Sequence, residues 1–95
     1  MNVRGTKLIE KFQASHASAA SRLAAWNDTM GKNDYANLVD LKRHFQQVDL
    51  VGQNLVFNIG NVCRLIAQVD FNHKIVLVKW IGTHAEYDKI KVKKI

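Results

Sequence analysis

A histidine, a tyrosine, a lysine and two carboxylates stand within six residues of one another, in the segment Gly82-Thr83-His84-Ala85-Glu86-Tyr87-Asp88-Lys89. Histidine exchanges a proton near neutral pH, tyrosine is a second acid, and lysine stabilises negative charge. The segment follows an apolar run, Ile75 to Ile81, that reads as a β-strand. Groups suited to proton transfer are therefore placed at the end of a rigid element. The formal charge of +6 and a pI near 9.7 point to a polyanion as the substrate, and nucleic acid is the first candidate.

The rest of the composition bounds the answer. The sequence has 95 residues, 47% hydrophobic and 23% charged, which predicts one domain over 1–95 with a core of moderate size. The single cysteine, Cys63, has no internal partner for a disulfide, so a reducing compartment is expected. No apolar run reaches the roughly 18–20 residues of a membrane span. The N-terminus lacks an export signal, and the expected location is cytoplasmic, with no membrane contact. His16, His44, His73 and His84 are scattered, and no CxxC or HExxH spacing occurs. A metal-free chemistry without cofactor is the expectation.

The elements that must position these groups follow from spacing. Met1 to Arg4 is a candidate edge strand ending at Gly5. Thr6 is suited to cap a helix with Leu8, Ile9 and Phe12 on one side. A second helix is expected from about Ser15 to Met30. Its apolar positions Ala19, Leu23, Trp26 and Met30 form one stripe, and Gly31 is its natural stop. Asp34 is a candidate cap for a third, shorter helix bearing Leu38, Leu41, Lys42 and Phe45. After Gly52 the pattern becomes strand-like. Leu55, Phe57 and Ile59 alternate with Asn54, Val56 and Asn58. Gly60-Asn61 signals a hairpin, Val62 to Phe71 a second strand, Asn72-His73 another turn, and Ile75 to Ile81 the last strand. Cys63, Leu65, Ala67, Val69 and Phe71 share one side, with Arg64, Gln68 and Asp70 on the other. The expected fold class is α+β, with N-terminal helices on one face of an antiparallel sheet of three or four strands.

Val56-Phe57-Asn58-Ile59-Gly60-Asn61, Arg64-Leu65-Ile66-Ala67 and Thr83-His84-Ala85-Glu86-Tyr87-Asp88-Lys89, in that order and spacing, resemble the HigB toxins of bacterial type II toxin–antitoxin systems. The branch ending in a THxEYD motif is the most similar. Asp40-Leu41-Lys42-Arg43-His44-Phe45 resembles the short mid-chain helix of that branch. One departure is Cys63, where many relatives carry an aromatic residue. The resemblance implies a RelE-like fold and an mRNA interferase that cuts messages on the translating ribosome, at the small-subunit decoding site. It implies a HigA-like helix-turn-helix antitoxin as partner, with operator DNA contacted only through that antitoxin.

RNA cleavage without metal requires a base for the 2′-OH, an acid for the leaving 5′-oxygen and cations for the charged phosphorane. His84 is the first candidate for acid or base, against a turn-capping role. Tyr87, three residues on, is the second proton carrier or a stacking platform, against a role anchoring the C-terminal segment. Arg64 is suited to phosphate, against a surface ion pair with Asp70 or Glu86. Lys79, Lys89, Lys42 and Arg43 are candidate RNA or phosphate contacts, each against an ordinary solvated role. Asp88 reads as an orienting partner for Lys89 or His84, and Glu86 as a solvated face. The lysines from Lys89 to Lys94 read as a phosphate arm or a short edge strand. Cys63 reads as a small buried hydrophobe. The alternative to an enzyme is a basic RNA-binding or interaction module without catalysis. In that module Arg64, Lys79 and the tail hold backbone while Tyr87 stacks.

Overall fold

The computed structural model covers residues 1–95. Its first strand, β1 (Asn2–Arg4), is followed at once by α1 (Thr6–Ser15). Gly5 makes that junction with φ of 83°, and a Cβ there would lie 2.5 Å from the Val78 carbonyl oxygen. Both the left-handed conformation and the close approach require glycine. Thr6 is thus the first helical residue and makes no side-chain cap. Ile9 and Phe12 face the core, whereas Leu8 is 40% exposed.

His16, in a non-helical conformation, separates α1 from α2 (Ala17–Lys32) and stacks on Phe12 with ring centroids 3.9 Å apart. Ala19, Leu23, Trp26 and Met30 are all buried, as the stripe predicts. Gly31 does not end the helix. Lys32 is its last residue, and extended Asn33 closes it by donating Nδ2 to the Thr29 carbonyl at 2.8 Å. That bond satisfies a carbonyl left unpaired at the helix end.

Asp34 does not cap the third helix. It accepts from the Met1 ammonium at 3.0 Å and lies 3.4 Å from Lys74. The cap of α3 (Leu38–Leu41) is Asn37, whose Oδ1 accepts from the Asp40 amide. α3 is a single turn that buries Leu41, and Lys42 and Phe45 lie beyond it in the turn leading to β2 (Asp49–Val51).

β2, β3 (Asn54–Ile59), β4 (Cys63–Asp70) and β5 (Ile75–Gly82) pair antiparallel in chain order, and β1 adds to β5 in parallel. The sheet has five strands in the order β1-β5-β4-β3-β2, rather than three or four. The additional strand is β2, three residues long. The second hairpin turn puts Lys74 at φ of 58°, and Asp70 holds it by accepting from the His73 amide and ring.

Leu55, Phe57, Ile59, Cys63, Leu65, Ala67, Val76 and Val78 pack against α1 and α2 as part of one core cluster. Trp26, Phe45 and Phe57 meet on the β3 side of that cluster, Phe57 lying 5.3 Å edge-on from each of the other two. Cys63 is fully buried, and burial pushes its thiol pKa up to about 11. It is a packing residue, not a nucleophile.

The opposite sheet face is not simply solvated, for Val56 and Ile66 on it are buried. The C-terminal segment lies across this face. Buried Asn54 donates Nδ2 to the Val92 carbonyl at 2.8 Å, and Lys79 donates to Ile95 at 2.6 Å. The lysine-rich tail therefore forms no strand. It ends in a single 3-10 turn over Val92–Lys94, strapped to the sheet.

Candidate active site

The site lies where β5 ends. Thr83 Oγ1 accepts from the Glu86 amide at 3.2 Å, and Glu86 Oε1 accepts from the Thr83 amide at 2.9 Å. This reciprocal capping box fixes the one-turn helix α4 (His84–Tyr87) directly after the strand. Glu86 lies exposed, as expected of a solvated face, and is in addition a structural cap. Hydrogen bonds from Thr83, first the backbone amide, hold its carboxyl below the usual range. The Thr-x-x-Glu spacing is the sequence signal for this role.

Helical geometry sets His84 and Tyr87 on one side of α4, over β4. Arg64 rises from β4 to meet both. Its Nε donates to His84 Nδ1 at 3.2 Å, and its guanidinium carbon lies 4.6 Å from the centre of the Tyr87 ring. Arginine can only donate, so Nδ1 is the accepting nitrogen and neutral His84 carries its proton on Nε2. The terminal nitrogens of Arg64 make no hydrogen bond or ion pair with the protein, and neither Asp70 nor Glu86 is its partner. Those nitrogens form a free fork, suited to two oxygens of a phosphate.

Trp80 completes the group, with its ring 6.3 Å from that of Tyr87. A Cβ at Gly82 would lie 2.4 Å from the Trp80 ring, so glycine makes room for the indole. Trp80 gave no signal in the sequence because it sits inside an apolar run. A β-bulge carries it to this face. The pairing skips Lys79, between Ala67↔Val78 and Ile66↔Trp80, so Ile81 turns to the core and Trp80 away from it.

The other candidates make no hydrogen bond to Arg64, and two of them are engaged elsewhere. Lys79 is held by the tail through Ile95. Arg43 pairs with Asp40 three residues earlier. Lys42 and Lys89 are exposed and form no ion pair. Asp88 ends α4, where its amide donates to the His84 carbonyl at 3.1 Å, and its carboxylate pairs with neither Lys89 nor His84. No three His, Cys, Asp or Glu side chains converge in a way that would hold a metal ion.

A five-stranded α+β fold with helices on one face matches the architecture expected of a RelE-like protein. The model of the HigB toxin family, described as the RelE-like toxic component of a toxin-antitoxin system, matches residues 19–90. The chain belongs to the HigB toxin family. That membership makes it the toxic component of a toxin–antitoxin system and implies an antitoxin partner. No curated protein shows significant similarity to it.

Proposed function

We propose that the protein is a metal-independent endoribonuclease that cuts mRNA on the translating ribosome, at the small-subunit decoding site, and so inhibits translation in the cytoplasm. The observation that carries this reading is that one arginine, Arg64, touches both proton-carrying side chains while its terminal nitrogens remain free. Phosphate oxygens on that fork would bring the scissile bond beside His84 and Tyr87. The 2′-oxygen attacks phosphorus as its proton passes to a base, and the P–O5′ bond breaks as the leaving oxygen takes a proton from an acid. The products are a 2′,3′-cyclic phosphate and a 5′-hydroxyl. With Nδ1 turned to Arg64, neutral His84 presents Nε2–H as a hydrogen-bond donor to a phosphate oxygen, and it serves as the acid once Arg64 has shifted to the phosphate and Nδ1 has taken up a proton. Tyr87, against the guanidinium, is placed for the accepting side, and Trp80 extends the aromatic surface on which a splayed base can stack. Lys42 and Lys89 supply further positive charge for the RNA backbone or ribosomal RNA.

The partner in this reading is a HigA-like helix-turn-helix antitoxin, through which alone the complex would reach operator DNA. An acidic antitoxin surface complements the net charge of +6. The test is expression of the chain alone in bacteria, with transcript ends sequenced. Growth arrest and cuts inside coding regions are expected. The Arg64→Ala variant should cut at least about tenfold more slowly, since one transition-state charge contact is typically worth about 2–4 kcal/mol. Normal growth with intact messages, at confirmed expression of folded protein, would remove the enzyme reading.

A further inference from the structure

The strand beside Arg64 borders a cleft that the chemistry above leaves unused. β2 pairs with β3 only at Asn54, Leu55 and Val56, so Phe57, Asn58 and Ile59 have no strand on that side. The turn after α3 stands off this edge. Between them is a cleft of about 300 Å3 lined by His44, Gln46, Gln47 and Asn58 above Phe45 and Phe57. That volume is at the lower end of the range for ligand clefts, about 300–1,000 Å3. A second hollow continues past His44 and Asn58 to Arg22 and Gly60.

Its lining has a definite chemistry. Tyr35 is 2% exposed, and its Oη lies 2.8 Å from His44 Nδ1. Burial raises the tyrosine pKa and keeps the phenol protonated, and which of the two atoms donates is set by the His44 tautomer. His44 Nε2 has no protein partner, so the ring gives the cleft wall one polar nitrogen, donor or acceptor according to tautomer. The side-chain amides of Asn58, Gln46 and Gln47 are exposed and make no hydrogen bond to the protein. No carboxylate lines either hollow, and Arg22 supplies a cation.

Asn58 links the cleft to the Arg64 cluster. Asn58 is the cross-strand partner of Arg64, on the same sheet face. Such pairs have Cβ atoms about 4.5–5.5 Å apart. A nucleotide whose phosphate sat on the Arg64 fork would have its neighbour at this edge. Neutral amides and an imidazole nitrogen complement the mixed donors and acceptors of a base edge, and asparagine pairs bidentately with adenine. A carboxylate-rich peptide would call for more cations than Arg22.

We propose that this cleft is a nucleotide subsite, in which Asn58 and His44 read the base next to the scissile phosphate. The proposal rests on the ribonuclease reading above and specifies where that enzyme would choose its sequence.

The test compares cut sites left in cellular messages by the wild type, Asn58→Ala and Asn58→Asp, scored for base preference at each position around the cut. Purified wild-type protein is titrated in parallel with 2′-O-methyl tetranucleotides, which lack the attacking hydroxyl, while side-chain amide resonances are followed by NMR. Asn58→Ala should still cut but lose base preference at one flanking position by at least about fivefold, the loss expected when a bidentate base contact is removed. Asn58→Asp should favour a different base there. The amide signals of Asn58 and Gln46 or Gln47 should move with the tetranucleotide. Cutting with unchanged preference at every position, or a wild type without base preference, overturns the subsite and leaves the Arg64 centre standing. A slower Asn58→Ala with unchanged preference makes Asn58 a support for Arg64 and likewise overturns base reading. A wild type that cuts no RNA overturns both proposals.

Discussion

Arg64 makes its one side-chain hydrogen bond to an imidazole and rests its guanidinium against a phenol. A lysine keeps the charge at that position but has neither the planar fork nor the stacking face. The same contact sets how His84 works, because an acceptor at Nδ1 leaves the proton at Nε2. His84 and Tyr87 then act as one unit around a shared arginine. Single substitutions His84→Ala and Tyr87→Phe should each lower cleavage, and the double variant should be little worse than the more damaging single. Neither side chain belongs to the buried core, so thermal unfolding should change little. Independent, multiplying losses in the double variant would separate the two roles. Full activity in folded His84→Ala would leave a largely electrostatic site on Arg64.

The element that presents this pair is a four-residue helix, too short to hold itself together. The capping box and the end of β5 hold it. Replacing Thr83 by alanine removes the oxygen that accepts from the Glu86 amide, a loss of about 0.5–2 kcal/mol at a helix N-cap. For a chain of this size each kcal/mol corresponds to roughly 4–8 °C in Tm. Thr83→Ala is expected to unfold a few degrees lower and to lose more activity than that small change implies, with Thr83→Ser restoring both. Unchanged activity at lowered Tm would show that α4 finds its position without the cap. This helix also shows what the sequence disclosed. The Thr-x-x-Glu spacing is visible in the sequence, but an exposed glutamate at that spacing can be solvated, capping or, like Glu86, both. α2 was legible because a 4-3-4 stripe has no other simple reading. β5 was less so, since an all-apolar run gives no alternation by which a bulge can be detected, and the bulge decides where Trp80 points. β2 was hidden by its length, three residues being too few to show a period. The grouping of Arg64 with His84 needed the β4–β5 register, which places Arg64 opposite Gly82, two residues before His84.

Across the whole molecule, the carboxylates are few and several are engaged in hydrogen bonds. Asp34 is held below the usual carboxylate range first by its hydrogen bond from the Met1 ammonium, Asp40 by the Ala36 amide, and Asp70 and Glu86 by the amides of His73 and Thr83. A carboxyl with a depressed folded pKa contributes stability that is fully present above its unfolded value, 3.8 for Asp and 4.5 for Glu. That contribution is lost as pH falls through the lower, folded value. Protonating the carboxylates also strips away the only negative charge opposing fourteen lysines and arginines, so the net charge climbs well above +6 and self-repulsion grows. Both effects have the same sign. The melting temperature should be nearly level from pH 7 to about 5, then fall steeply toward pH 3. Added salt should soften the part due to self-repulsion, because exposed charges are screened within about 10 Å at 0.1 M. Asp70→Asn removes one of the linked protons and should make the acid limb shallower while lowering Tm at pH 7. A melting temperature that stayed level to pH 3, or a limb as steep in Asp70→Asn as in the wild type, would show that these hydrogen-bonded carboxylates do not set the acid limit of the fold.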